Sequence, residues 1–218
     1  MQMDIVVMLA KLAEGMAKSV GIFGLTLLFS LTLGLVVTFG RMSKNGVLRN
    51  ITKFYISVMR GTPLMLQLMV VYFGPFYLFG MKLSTSYRFI AVIIGFALNY
   101  AAYFAEIYRS GIESMPTGQY EAARLLGYSR IQCFFVIILP QVIKRILPSV
   151  TNEVITLVKD TSLAFAISEM EMFNVAKGLA AASTSMVPLV IAGVFYYIFN
   201  FLVAFVMEFI EKKLNYYR

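Results

Sequence analysis

The sequence contains no histidine and a single cysteine, Cys133, and only 14% of its 218 residues are charged. Without histidine the usual nitrogen ligands of zinc, copper and haem are missing, and imidazole acid–base chemistry is closed. One cysteine cannot form an intrachain disulfide. Acidic residues are scarce, 11 against 19 lysines and arginines, which leaves a formal net charge of +8. There is no GxxxxGK[ST] loop to cradle nucleotide phosphates. The chain is therefore expected to bind no metal or cofactor, and energy for any work must come from another subunit or from an ion gradient.

What is abundant is apolar length. Hydrophobic residues make up 60% of the chain and mean hydropathy is +0.79, far above a soluble globular domain. Uncharged runs cover residues 19–40, 61–81 and 178–207. Each can cross a hydrocarbon core of ~30 Å at ~1.5 Å per residue. A shorter run reaches spanning length when extended through Glu106 to Tyr108, and a fifth, 146–167, contains Glu153, Lys159 and Asp160. The expected fold class is an all-α polytopic membrane protein of about five spans, near 19–40, 61–81, 88–108, 146–167 and 186–208, in one domain covering 1–218. At the start, "MDIVVMLAKLAEGMAKSV" places Ile5, Met8, Leu9, Leu12 and Met16 at helical spacing, which predicts a short interfacial helix over residues 1–18. A cleavable signal peptide is not expected, because the first apolar run ends in "VVTFGR" without a small-x-small site.

Charge distribution orients the spans. Arg41, Lys44, Arg49, Lys53 and Arg60 crowd the first loop, Arg109, Arg124, Arg130, Lys144 and Arg145 the loop before the fourth span, and Lys212, Lys213 and Arg218 the tail. By the positive-inside rule the N-terminus lies outside and the C-terminus in the cytoplasm. Nucleic-acid binding is excluded as the meaning of a pI near 9.6, because no segment outside lipid is long enough to fold a basic binding face.

One loop stands apart. In "EAARLLGYSRIQCFFVIILP" (121–140) a helix over Tyr120–Leu126 should end on a left-handed Gly127, and Ser129 with Gln132 forms a capping box for a second short helix. Ile131, Phe134, Phe135 and Ile138 give that helix one apolar face, and Leu139-Pro140 should end it. The result is a cytosolic helix–turn–helix elbow within residues 113–140. Ala122 and Ala123 keep its first helix slim for close approach by another backbone, with Glu121 and Arg124 at the rim.

Polar groups inside the spans need partners or a watery cavity. Asn99, Tyr103 and Glu106 fall at i, i+4 and i+7 on the third span, and Glu153, Thr156 and Asp160 at i, i+3 and i+7 on the fourth. Turned together, the two stripes would line a polar path. Equally, Lys159 and Asp160 can neutralise neighbours, and Asn99 can act as interhelical glue. Glu153 lies ~12 Å beyond the interfacial Lys144 and Arg145, near the midplane, where a carboxylate suits an α-ammonium or a cationic side chain. Thr62 can cap the second span, with Pro63 at its first helical position and Arg60 at the headgroups. The same motif suits a gate, and Gln67 lies one turn further in.

The spacing E-A-A-x3-G-x9-I-x-L-P, at Glu121, Ala122, Ala123, Gly127, Ile137, Leu139 and Pro140, resembles the EAA loop of ABC importer permeases. "YISVMRGTPLMLQL", "LNYAAYFAEIYRSGIESMPTGQYEAARLLG" and "LPSVTNEVITLVKDTSLAFAI" look like the subfamily that takes up polar amino acids, and with "GLTLLFSLTLGLVVTFGRMS" the resemblance spans most of the chain. It implies a non-enzymatic, multi-pass permease in a prokaryotic inner or plasma membrane, paired with an identical or homologous second permease. Two ATP-binding subunits holding ATP and Mg would drive it through the elbow, an extracellular solute-binding protein would deliver a polar amino acid, and the third and fourth spans would face the substrate. Cystine or an amino-acid derivative is an alternative cargo. The rival classes are a gradient-driven secondary carrier, for which the halves show no obvious self-similarity, and a non-transporting scaffold, for which the polar stripes are an unexplained cost.

Overall fold

A computed structural model describes residues 5–214. Its elements in chain order are α1 (Ile5–Arg41), α2 (Gly46–Gly61), α3 (Leu64–Phe79), α4 (Thr85–Glu113), α5 (Thr117–Leu125), α6 (Arg130–Gln132), a π-helical segment (Cys133–Ile138), α7 (Leu139–Asp160), a 3₁₀ segment (Thr161–Ile167), α8 (Met172–Ser183) and α9 (Val187–Leu214). Four helical stretches have the length and apolarity to cross a membrane, and α2 and α3 meet the same test only when taken together as a pair bent by 110°. The polytopic all-α class follows directly.

α1 runs without a break through the position where a separate surface helix was expected to end. The reason is local. Residues 9–18 are rich in Leu, Ala, Lys, Glu and Met, all strong helix formers, and no proline interrupts them. One face of the first turns is covered by protein, with Met8 and Leu12 buried against Met172, Ala176 and Leu179 of α8. At Gly15 the approach is so close that a Cβ would sit 2.9 Å from the Met172 Cα.

The main seam joins α1 to α4. The inner stripe of α1 consists of Ser19, Ile22, Thr26, Ser30, Gly34 and Thr38, all buried. Facing it on α4 are Ala101, Phe104 and Ala105, all buried. Small faces let helices approach until dispersion contacts and short polar bonds hold them, which is how association works where lipid removes the hydrophobic driving force. The Thr38 hydroxyl lies 2.7 Å from the Gly34 carbonyl and 3.2 Å from that of Ala105 on α4. The central core adds Leu68 of α3, Phe96 and Tyr100 of α4, and Leu157 of α7.

α2 and α3 meet at a bend of 110°. Pro63 holds the N-cap position of α3, not its first helical position, and no side chain caps that helix. The Thr62 hydroxyl instead donates to the Val58 carbonyl and accepts from the Gln67 side chain at 2.8 Å. The elbow forms as the sequence indicates up to its second helix. Gly127 is left-handed at φ 81, and the N–H groups of Gly127 and Tyr128 donate to the carbonyls of Arg124 and Ala123, closing a Schellman turn. Ser129 and Gln132 complete the capping box. Beyond them Pro140 does not stop the helix: the wider π turn at Cys133–Ile138 accommodates a residue lacking an N–H, and the helix continues into α7.

At the end of the bundle opposite the elbow, Glu171 ties α1, α8 and α9 together. Its fully buried carboxylate accepts from the backbone N–H groups of Phe173 and Asn174 and from the hydroxyls of Tyr196 and Ser19. Burial pushes this carboxyl above the usual range, and those donors pull it back.

The α1–α4 seam makes a specific prediction. A Cβ at Gly34 would stand 2.9 Å from the Phe104 Cβ and 3.3 Å from the Ala101 carbonyl, whereas one at Gly24 meets nothing within 4 Å. Gly34→Val should destabilise the purified protein by about 1–3 kcal/mol through overpacking, read as a lowered melting temperature in detergent. Gly24→Val should melt close to the parent.

Candidate functional site

α7 carries the polar face that matters. Asn152, Thr156 and Lys159 are exposed along it, and Glu153 and Asp160 are half-buried beside them. The carboxylates differ in their bonding. Asp160 accepts a 2.7 Å hydrogen bond from the Tyr100 hydroxyl of α4. Among the described residues Glu153 has no hydrogen bond and no ion pair within 4 Å, although it feels the charges of Arg60 and Asp160. Thr156 donates to the Asn152 carbonyl within its own helix.

The stripe expected on α4 divides into three separate roles. Asn99 is buried, and its amide donates to the Met59 carbonyl and to the Gln67 side chain, both at 2.9 Å. Gln67 in turn donates to the carbonyls of Met59 and Thr62. These bonds lock the α2–α3 bend to α4 and consume the amide donors of Asn99. Tyr103 presents its ring to Arg60, whose guanidinium carbon lies 5.2 Å from the centroid. Glu106 lies at the far end of the stripe among three arginines: Arg109 at 2.6 Å, Arg41 at 3.9 Å and Arg60 at 4.0 Å. That cluster joins α1, α2 and α4. Arg60, at the bend, thus stands between the Glu106 cluster and the Glu153 face.

In the elbow, Glu121, Ala122 and Arg124 are exposed, as are Leu125, Leu126 and Ile131 at 89%, 75% and 72%. Ala123 departs from expectation. It is buried in a small core with Met115, Cys133, Ile138 and Val142, so it packs the elbow onto its own π segment. Phe134 and Phe135 are likewise split, the first packed on that core and the second exposed.

Two participants escaped sequence reasoning. Tyr100 reads as one more apolar ring until its hydroxyl is seen on Asp160. Glu171 reads as a loop acid until four donors converge on it. A polar atom at an otherwise buried helical position was the available signal for Tyr100.

Comparison with known proteins accords with this architecture. Residues 30–216 match the family described as binding-protein-dependent transport system inner membrane component. A putative glutamine transport system permease protein GlnP of Rickettsia bellii (strain RML369-C) is 38% identical over 191 residues, covering 87% of this chain and 86% of that protein. The arginine transport system permease protein ArtQ of Bacillus subtilis (strain 168) is 37% identical over 203 residues, 93% and 91% of the two chains. Among solved structures, an amino acid ABC transporter crystallised with histidines superposes with a TM-score of 0.87 at 28% identity, covering 98% of this chain and all of that one. The fold is also that of the MetNI methionine ABC transporter, with a TM-score of 0.74 at 17% identity. The chain belongs to the binding-protein-dependent transport system inner membrane component family.

Proposed function

We propose that the chain is one permease subunit of an ATP-driven importer of polar amino acids, and that the α7 face lines its translocation path. The observation that carries this reading is the uncovered polar stripe of Asn152, Glu153, Thr156 and Lys159 on a helix long enough to span a bilayer. Lipid cannot solvate such a face. Water and a second permease subunit, identical or homologous, can. Glu153 receives the substrate ammonium or a cationic side chain, Asp160 held by Tyr100 extends the negative surface, and Tyr103 and Thr156 flank them. Arg60, Thr62 and Pro63 form the bend beside this face. The relatives named for glutamine and arginine transport favour an amino-acid cargo.

The chain performs no covalent chemistry in this reading. Two ATP-binding subunits, which hold ATP and Mg, dock on the exposed surface of Glu121, Ala122, Leu125, Leu126 and Ile131, and an external solute-binding protein delivers the cargo. α6, the π segment and α7 form one continuous helical path, so a displacement of the elbow reaches Glu153 without crossing a flexible joint. The N-terminus faces outward and the elbow and C-terminus face the cytoplasm of a prokaryotic cell.

Orientation is tested at Gly118, where an added side chain meets nothing within 4 Å and the native Cys133 is buried. Gly118→Cys should resist an impermeant maleimide applied to intact cells and react after permeabilisation. Labelling from outside would invert the topology.

At Glu153, the conservative Glu153→Gln removes charge and keeps shape. Substrate affinity in the assembled transporter should fall roughly ten- to a hundred-fold, the cost of one charge-assisted hydrogen bond. Its melting temperature should hold. Unchanged affinity would take Glu153 out of the path, and a collapse in stability would make it a structural counter-ion.

For the elbow, Gly127→Val puts a β-branched residue at φ 81, which costs about 1–2 kcal/mol and reorients α5 against α6. ATP hydrolysis should continue while uptake per ATP falls. A well-expressed Gly127→Val complex with normal coupling would show that the elbow angle does not transmit the stroke.

A further inference from the structure

α2 carries two surfaces that neither the translocation path nor the elbow uses. Val47, Ile51, Phe54 and Val58 recur at i, i+4, i+7 and i+11, within about 60° of one another at ~100° per residue. Val47, Ile51 and Phe54 are 69%, 61% and 71% exposed. Arg49 and Lys53 project from the opposite side of the same helix, also exposed. They continue a run of cations, Arg41, Lys44, Arg49 and Lys53, that contains no acidic residue between positions 41 and 60. Arg41 reaches Glu106 at 3.9 Å. Among the described residues Lys44, Arg49 and Lys53 have no carboxylate within 4 Å.

The placement of α2 gives these surfaces a context. Four residues separate the helix from the end of the membrane-length α1; it is capped by Asn45, and Thr52 rests on Gly40 at the end of that span. Its inner face is fixed by buried Ile56 and by the Tyr55 hydroxyl on the Leu98 carbonyl. The 110° bend then separates its direction from that of α3. An amphipathic helix with a large apolar stripe, uncompensated cations and a start at the end of a span fits the boundary between acyl chains and headgroups. An identical chain on this face would bring the same unpaired cations toward each other across a two-fold axis. Anionic lipid meets both surfaces at once, since acyl chains cover the stripe and phosphates reach lysine and arginine heads that extend to the interface.

We propose that α2, with Arg41 and Lys44 preceding it, is a docking surface for anionic phospholipid. The apolar stripe sets its depth, and Lys44, Arg49 and Lys53 select the headgroup.

The chain has no tryptophan, so one introduced by substitution reports a single location. The full chain carrying Phe54→Trp is reconstituted in phosphatidylcholine vesicles containing equal fractions of acyl-brominated phosphatidylglycerol or acyl-brominated phosphatidylcholine. A control chain carries Phe29→Trp, which is 51% exposed on α1 and ~18 Å along the helix from Arg41. At position 54 the brominated phosphatidylglycerol should quench several-fold more strongly, because each nearby cation contributes up to about a five-fold preference. At position 29 both lipids should quench alike. Adding K44Q, R49Q and K53Q to Phe54→Trp should abolish the preference and leave quenching by phosphatidylcholine intact. Equal quenching by the two lipids at position 54 would overturn headgroup selection. No quenching there by either lipid, with position 29 quenched normally, would assign the stripe to a protein partner and overturn the proposal outright.

Discussion

Hydrocarbon offers a polar group nothing to bond, and that constraint organises almost every contact in this bundle. Where α1 meets α4, the hydroxyls of Ser30 and Thr38 return to carbonyls of their own turns or reach across to a neighbour, while the buried Thr26 hydroxyl between them has no partner among the described residues. The broken span between α2 and α3 would expose backbone carbonyls at Met59 and Thr62. Asn99 and Gln67 satisfy both, and the bend becomes a fixed joint. At the opposite end four donors surround Glu171 and bind three helices to one carboxylate. Removing one partner from such a site costs more than its bond, because the group left behind has no water to turn to.

Against that background the groups without partners stand out. The Asn99 amide is spent on holding α2 and α3 to α4, whereas no neighbour within hydrogen-bonding or ion-pairing range occupies Glu153 among the described residues. The same contrast separates Glu106, held by three arginines, from Asp160, which has one hydroxyl. A membrane helix retains an unpaired carboxylate only where water or a cation from outside the chain reaches it. Incomplete satisfaction thus distinguishes the polar face of α7 from the fully bonded polar groups of α4.

The elbow obeys a different rule, because it lies outside the spans. Its stiffness comes from local chemistry: a Schellman turn at Gly127, a capping box at Ser129 and a small core around Ala123 and Cys133. Leu125, Leu126 and Ile131 remain exposed on its surface. The π turn before Pro140 lets the elbow and α7 share one helical run, which connects the elbow to the Glu153 carboxylate without a break.

Much of this protein was legible in the residues themselves. Apolar runs of membrane length follow from the thickness of a bilayer, the left-handed Gly127 and the Ser129–Gln132 box from backbone sterics within a few positions, and the family from the spacing of the EAA loop. These features depend on neighbours close in the chain, or on lipid, which is the same for every sequence. The rest was decided by contacts between distant segments. Asn99 and Tyr103 share a helical stripe, yet one locks the Met59 and Gln67 joint and the other faces Arg60, because the α2–α3 bend brings those partners to different heights of α4. Pro140 has the sequence character of a helix stop, but the π turn keeps the rod intact. Residues 5–18 look like a surface helix, but burial of Met8 and Leu12 against α8 makes them the first turns of α1. Glu171 caps α8 through its neighbours Phe173 and Asn174, but its other two donors, Ser19 and Tyr196, come from two other helices. Local pattern fixes which groups are polar, and only the packing of remote helices fixes which of them are already satisfied.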